Sequence, residues 1–305
     1  MRDVLETYRT LESPSSGWKL VVVDNGSTDE TLSVLKEFAS LLPLTFLTEP
    51  TAGKNAALNA GLARIEGDLT VFTDDDVFPR KDWLVELRKA ADAHPDYTIF
   101  GGVVVPRWEV PPPPWIEWVD PGPVFTLSPE TVREGELSRE YASLVYGPNM
   151  LIRSEIFSSG VRFDAGMGPR GTSYPMGSET ELVLRLVRQG HRAWHAKNAV
   201  VEHLVRKEQM EKEWVLRRGI LCGRGRHRTS PKVLSWGGIP LHLVRDMPKE
   251  AISVFCAWAL FRPEALFRAR WRLNILVGKF IEGRNMAGEA SQHATSSVAL
   301  SREAR

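Results

Sequence analysis

Leu20-Val-Val-Val-Asp24-Asn-Gly-Ser27-Thr-Asp29-Glu-Thr31 joins a short apolar run to a polar, glycine-bearing turn. Lys19 to Val23 has the length and branching of a buried parallel strand, and Asp24-Asn-Gly closes it as a tight turn. Leu32, Leu35, Phe38 and Leu42 then recur at the spacing of one helix face, with Ser27 and Glu30 at capping-box spacing ahead of them. The same alternation repeats outward from this stretch. Leu44 to Leu47 reads as a second strand, Gly53-Lys54-Asn55-Ala-Ala-Leu-Asn59-Ala-Gly61 as a glycine-bounded loop and helix, and Leu69 to Thr73 as a third strand. Strand and helix alternating over the first hundred residues predict a doubly wound, mostly parallel sheet flanked by helices.

The third strand ends in Asp74-Asp75-Asp76. Three adjacent like charges repel, and a fold keeps them in a cleft where a cation or its ligands compensate. The carboxyl ends of parallel strands are also where α/β sheets hold ligands. A solvated acidic turn is the competing reading. On a continuing strand, Asp74 and Asp76 share a face and Asp75 points elsewhere. A phosphatase-type Asp-x-Asp wants Thr or Val two residues beyond the second Asp, and Phe78 stands there.

The chain has 305 residues, 43% hydrophobic and 25% charged, which fits one large α/β domain with an extension or two domains. A formal net charge of +1 argues against a nucleic-acid partner. Cys222 and Cys256 give neither a metal spacing nor a disulfide framework, and a reducing cytosol fits them. The first residues lack the apolar core of a signal peptide, and no stretch reaches the roughly 20 apolar residues of a membrane span.

Ile99 to Val105 reads as a strand whose Gly101-Gly102 marks a bulge or a close approach. Pro111 to Pro114 is a stiff segment flanked by Trp108, Trp115 and Trp118, aromatics that either stack on a ligand or pack on the domain. Beyond residue 205 the composition turns basic, with Arg217, Arg218, Arg224, Arg226 and Arg228. A helical region over 241–282 carries the apolar run Ala251 to Phe261 followed by Arg262, Arg268, Arg270 and Arg272. It suits an amphipathic helix on an anionic membrane surface, or a helix pair packed on the catalytic domain. Residues 1–228 are expected to form the catalytic domain, 229–290 a helical extension and 291–305 a disordered tail.

Four segments together resemble the family 2 glycosyltransferases, which have the GT-A fold, over about Leu20 to Gly223. They are the Asp24 run, the Gly53–Gly61 segment, the aspartate triplet, and Gly177-Ser178-Glu179-Thr-Glu181 ahead of Arg185, Arg188 and Gly190. The resemblance implies an inverting, metal-dependent transferase that takes a nucleotide-sugar donor to a glycan or lipid-linked acceptor, in polysaccharide or cell-surface glycan synthesis. It implies donor contacts from Asp24, Asn25, Ser27, Lys54, Asn59, Asp74 and Asp75, with Lys54 approaching the phosphates. Mg²⁺ or Mn²⁺ would be held by Asp76, Asp74 and His203. Glu179, where the family usually has Asp, matches the catalytic base, and Ser178 with Glu181 has capping-box spacing that makes Glu181 structural. The acceptor side would be lined by Gly101, Gly102, Gly147, Asn149 and Trp108. The implied place is cytoplasmic, peripheral at the inner face of the membrane.

One family feature is missing. Its opening strand, ending in Pro-x-Tyr-Asn or similar, has no counterpart, because Asp3 to Leu11 already reads as the following helix. Two explanations stand: a start upstream of Met1, or a non-catalytic relative that has lost donor binding. A sugar-nucleotide nucleotidyltransferase is a more distant reading, since its glycine-rich Arg/Lys loop near the first strand is not found.

Overall fold

The computed structural model describes residues 1–230 and 234–303, with side chains described as far as residue 289. Two compact units emerge, each held by its own contacts: residues 1–113, 120–172 and 177–210 form the first, and 114–119, 173–176 and 211–305 the second.

The first unit begins as the hydrophobic pattern predicts: α1 (Arg2–Tyr8), β1 (Leu20–Asp24), α2 (Thr31–Phe38), β2 (Leu44–Thr48), α3 (Lys54–Leu62) and β3 (Leu69–Phe72). β1 and β2 pair in parallel, Leu20 opposite Leu44. Next come β4 (Val77–Pro79), α4 (Trp83–Ala93), β5 (Ile99–Trp108), α5 (Pro121–Phe125), β6 (Gly135–Leu137), β7 (Met150–Arg153), α6 (Glu155–Ser158), α7 (Ser178–Arg188) and β8 (Ala193–Val205).

The main sheet has six strands in the order β3-β7-β5-β8-β4, with β6 on β8. It corrects the expectation of a mostly parallel sheet. Only β5 and β8 pair in parallel, whereas β7 lies antiparallel between β3 and β5, and β4 and β6 run antiparallel to β8. Hydrophobic runs announce strands but carry no direction, and β7 enters the sheet after a long excursion from β5.

β1–β2 and the six-stranded sheet are separate ladders. Among the described residues no strand pairs with the second edge of β1 or of β3. A cavity of about 940 Å³ runs along both strands, walled by Val4, Leu5 and Tyr8 of α1 and by Trp83 and Leu87 of α4.

Gly102 behaves as strand glycines do. The β5–β8 register shifts between Gly102 and Val103, and a Cβ on Gly102 would lie 2.2 Å from the Asn149 amide nitrogen. Ile99, Met150, Ile152, Leu182 and Leu186 fill the core that seats α7 against the sheet.

In the second unit α8 (Lys212–Thr229) packs on α10 (Pro263–Glu303), with β9 (Ser235–Trp236), β10 (Ile239–Pro240) and α9 (Leu241–Ala259) between them in sequence. α8 therefore groups with the C-terminal helices, although the domain boundary was expected at 228. Glycines on both helices explain the pairing: a Cβ on Gly223 would lie 2.1 Å from the Ile275 carbonyl oxygen, and one on Gly278 2.0 Å from that of Ile220. Trp115 and Trp118 pack on Phe267 here, at 5.3 and 6.1 Å between ring centroids. The backbone is helical through Glu303, where the sequence predicts a disordered tail from Ser291. Residues 304–305 and the side chains from 290 lie outside the described set.

Candidate functional site

The site is built around one ammonium group. Lys54 opens α3 immediately after Gly53, whose φ of +133° turns the loop into the helix. Its Nζ lies 2.6 Å from Asp74 Oδ1 and 2.7 Å from Glu179 Oε1. Burial works against the charge, but the two carboxylates outweigh it and hold the lysine above its ordinary range. Thus Lys54, the first aspartate of the triplet and the first turn of α7 converge.

Glu179 lies against Gly147, where a Cβ would be 2.4 Å from Glu179 Oε1. That glycine borders the cleft by leaving room for the carboxylate. The expected capping box at α7 is not formed. Gly177 is the N-cap, Ser178 Oγ is buried without a hydrogen-bond partner, and Glu181 accepts from Arg185 Nε at 2.8 Å. Glu181 is structural all the same, through an i,i+4 ion pair. At α2 the cap also differs: the Thr31 N–H donates to Asp29 Oδ1 at 3.0 Å, while the Ser27 N–H donates to Asp24 Oδ1 at 3.1 Å. Asp24, 4% exposed, thereby closes its own turn.

β3 ends at Phe72, so the triplet lies in the turn before β4 rather than on a strand. Asp74 and Asp76 consequently have different partners. Asp76 Oδ1 is 3.4 Å from His203 Nε2, and its Oδ2 accepts from Arg206 Nη1 at 3.3 Å. Burial pushes the Asp76 carboxyl up, and His203 and Arg206 more than reverse this, leaving it below the usual range. Asp75 is shifted upward, by burial first and then by its two neighbours.

Asp74, Asp76 and His203 do not assemble as a three-ligand centre, and no such group of three His, Cys, Asp or Glu stands together among the described residues. Asp76 and His203 do fit a cation as a pair. His203 Nδ1 lies 2.8 Å from the Phe125 carbonyl oxygen and donates to it, which turns the other ring nitrogen toward Asp76. With the ring neutral, Nε2 becomes an acceptor facing a carboxylate, an arrangement a divalent cation would satisfy. Mg²⁺ in particular takes one or two protein ligands together with phosphate oxygens.

Several expected contact residues are spent on the scaffold. Asn25 donates to the Glu49 and Thr51 carbonyls at 2.7 and 2.8 Å and accepts from the Gly53 N–H. Asn59 exchanges both of its hydrogen bonds with the Phe163 backbone at 2.9 Å. Asn149 is fully buried, donating to the Val103 and Ala199 carbonyls and accepting from Trp83 Nε1. Gly101 and Gly102 are buried inside the sheet. Asn149 and these glycines thus have packing roles instead of the acceptor-side role expected. Trp108 packs edge-on against Phe125, whose carbonyl orients His203. Arg206 on Asp76 was not foreseen, and nothing in Val205-Arg206-Lys207 marks it.

The family model described as glycosyl transferase family 2 matches residues 2–160. The chain belongs to glycosyl transferase family 2. A dolichyl-phosphate beta-glucosyltransferase of Trichomonas vaginalis, ALG5C, is 34% identical over 83 residues, 27% of this chain and 25% of its own length. The poly(ribitol-phosphate) beta-N-acetylglucosaminyltransferase TarS of Staphylococcus aureus strain Mu50 is 28% identical over 94 residues, 30% of this chain and 16% of its own. Such matches span a quarter or less of the curated relatives' length. Among solved structures, the mannosyltransferase PcManGT of Pyrobaculum calidifontis, in complex with GDP-Man and Mn²⁺, superposes with a TM-score of 0.55 at 19% identity, covering 97% of this chain and 75% of that one. The S. aureus TarS complex with UDP-GlcNAc gives 0.53 at 16% identity, covering 96% and 87%. The GT-A expectation for this family 2 chain stands, in a mixed sheet flanked by helices.

Proposed function

We propose that this family 2 chain is an inverting glycosyltransferase that moves a sugar from a nucleotide-sugar donor to an acceptor hydroxyl of a glycan or lipid-linked molecule. The observation that carries the reading is the Lys54 bridge, which brings a triplet aspartate and the α7 carboxylate Glu179 onto one cation. Donor complexes in fold relatives, GDP-Man with Mn²⁺ and UDP-GlcNAc, support a nucleotide-sugar donor and a divalent metal. Asp76 and His203 would hold that Mg²⁺ or Mn²⁺, which supplies Lewis-acid neutralisation of the departing diphosphate. Lys54 offers a point charge to the phosphates, and moving toward them loosens its hold on Glu179. Glu179 then takes the proton of the acceptor hydroxyl. The acceptor oxygen bonds to the anomeric carbon as the carbon–oxygen bond to the diphosphate breaks on the opposite face. One displacement inverts the centre. A role in polysaccharide or cell-surface glycan synthesis, at the cytoplasmic face of the membrane, suits the basic helical region 241–282.

Glu179→Gln tests the assignment. Turnover against a panel of UDP- and GDP-sugars is expected to fall by about a hundredfold to ten-thousandfold, while calorimetric donor affinity in the presence of Mn²⁺ stays within a few-fold. Near-normal turnover would remove Glu179 from the role of base. Absence of any metal-dependent UDP or GDP binding by the wild-type chain would favour the non-catalytic relative.

A further inference from the structure

Within the second unit α9 turns into α10 through Leu260-Phe261-Arg262, and this corner carries a run of exposed large apolar side chains. Ile252, Phe255 and Trp258 recur at three-residue intervals along one face of α9, each 63% exposed, and Phe261 at the corner is 92% exposed. The opposite face is the packed one, with Leu243 and Ala257 buried. Between Lys249 and Arg262 the only charged residue is Glu250, and it is turned inward to Arg272 at 3.0 Å.

The corner is a Schellman motif: the Phe261 N–H donates to the Trp258 carbonyl at 3.1 Å and the Arg262 N–H to the Ala257 carbonyl at 3.0 Å. Phe261 occupies the position where helices ordinarily place glycine, at φ +53°. A bulky side chain in the left-handed region is strained, and a fully exposed phenyl ring adds a solvation cost. Folding of this unit gains from neither, so the two costs on one residue call for an external apolar partner.

We propose that this face of α9 with the α9–α10 corner is a membrane-docking edge. Phe255, Trp258, Leu260 and Phe261 enter the headgroup–acyl boundary of an anionic bilayer, and Lys249 and Arg262 meet its phosphates. Charge selects the bilayer over a second copy of the chain. Residues 241–272 hold six Lys and Arg against three Asp and Glu. Arg245, Arg268, Arg270 and Arg272 are paired with Asp246, Glu264, Glu213 and Glu250, and two-fold self-pairing would face Lys249, Arg262 and the remaining net positive charge with themselves. Docking here is in-plane, since among the described residues no helix is long and apolar enough to cross a membrane. The inference gives the membrane-side location of the proposed function a specific surface. Its test contains no donor or acceptor, so it stands or falls apart from catalysis.

The experiment is co-sedimentation of the full chain with sucrose-loaded vesicles, either phosphatidylcholine alone or with about one-third phosphatidylglycerol. The wild-type chain is expected to pellet with the anionic vesicles, less so as salt rises. The triple variant Phe255→Ser/Trp258→Ser/Phe261→Ser should lose about tenfold or more of that partitioning. Phe261→Gly separates docking from architecture: it should raise Tm by relieving the left-handed strain and yet weaken vesicle binding. The proposal is overturned by a wild type that ignores anionic vesicles or by a triple variant that binds them as well as wild type. Lipid-free dimers of wild type that the triple variant abolishes would overturn it too, since the occupant is then a second copy.

Discussion

Gly147 and Glu179 share a space that a single methyl group would close. A Cβ at 147 would stand 2.4 Å from Glu179 Oε1 and 2.5 Å from its Cδ, so the carboxylate would have to swing off Lys54. Gly147→Ala is therefore expected to lower turnover by about a hundredfold, the scale of a misplacement near 1 Å. Tm should move by only a few degrees, because Glu179 can rotate toward solvent. Turnover and thermal melts of the one variant check both halves, and an active Gly147→Ala chain would mean that Glu179 need not lie where it does. At this scale Lys54, Asp74 and Glu179 were legible because each stands in a motif with its own chemistry. Asn25, Asn59 and Asn149 were misread for a physical reason: a side-chain amide in a glycine-rich loop looks the same in sequence whether it clamps the backbone or awaits a ligand.

Among the elements, the α8–α10 pair depends on both close backbone approach and a buried charge. Glu282 on α10 is fully buried and accepts from Arg224 Nε at 2.7 Å and from Arg228 Nε, while Arg224 also donates to Ser173 Oγ at 2.6 Å. Removing one side of such a cluster leaves buried guanidinium charge uncompensated, at a cost of about 3–5 kcal/mol. Glu282→Ala should shift the denaturant midpoint of the helical unit accordingly, with Glu282→Gln between it and wild type. Equal midpoints for all three would show the cluster to be ornamental. The strands and helices from β1 to β3 could be read from periodicity, whereas β4, α4 and the caps were not. Ser27 and Ser178 had the right spacing, but Glu30 and Gly177 hold the N-cap positions, neither with a side-chain cap bond, since a cap is decided by how the preceding turn enters the helix. Strand direction was equally hidden, and β7 is the example.

For the whole molecule, the two ladders of the first unit differ in the sequence distance they must close. β1 meets β2 with Leu20 opposite Leu44, 24 positions apart, whereas β3 meets β7 with Leu69 opposite Arg153, 84 positions apart, and β4 meets β8 with Val77 opposite His203, 126 positions apart. Because no ladder hydrogen bond joins β1 to β3, the small parallel pair need not wait for the large sheet. Loop-closure entropy then orders the events in time. Residues 20–48 are expected to gain amide protection first in a pulse-labelled refolding experiment, and β3, β4, β7 and β8 together in a later, slower phase. Simultaneous protection of all these strands would mean that helix packing across the cavity, and not the ladders, sets the order. The gap between β1 and β3 thus acts as a kinetic seam: it divides a fast, local folding step from a slow, long-range one inside a single compact unit.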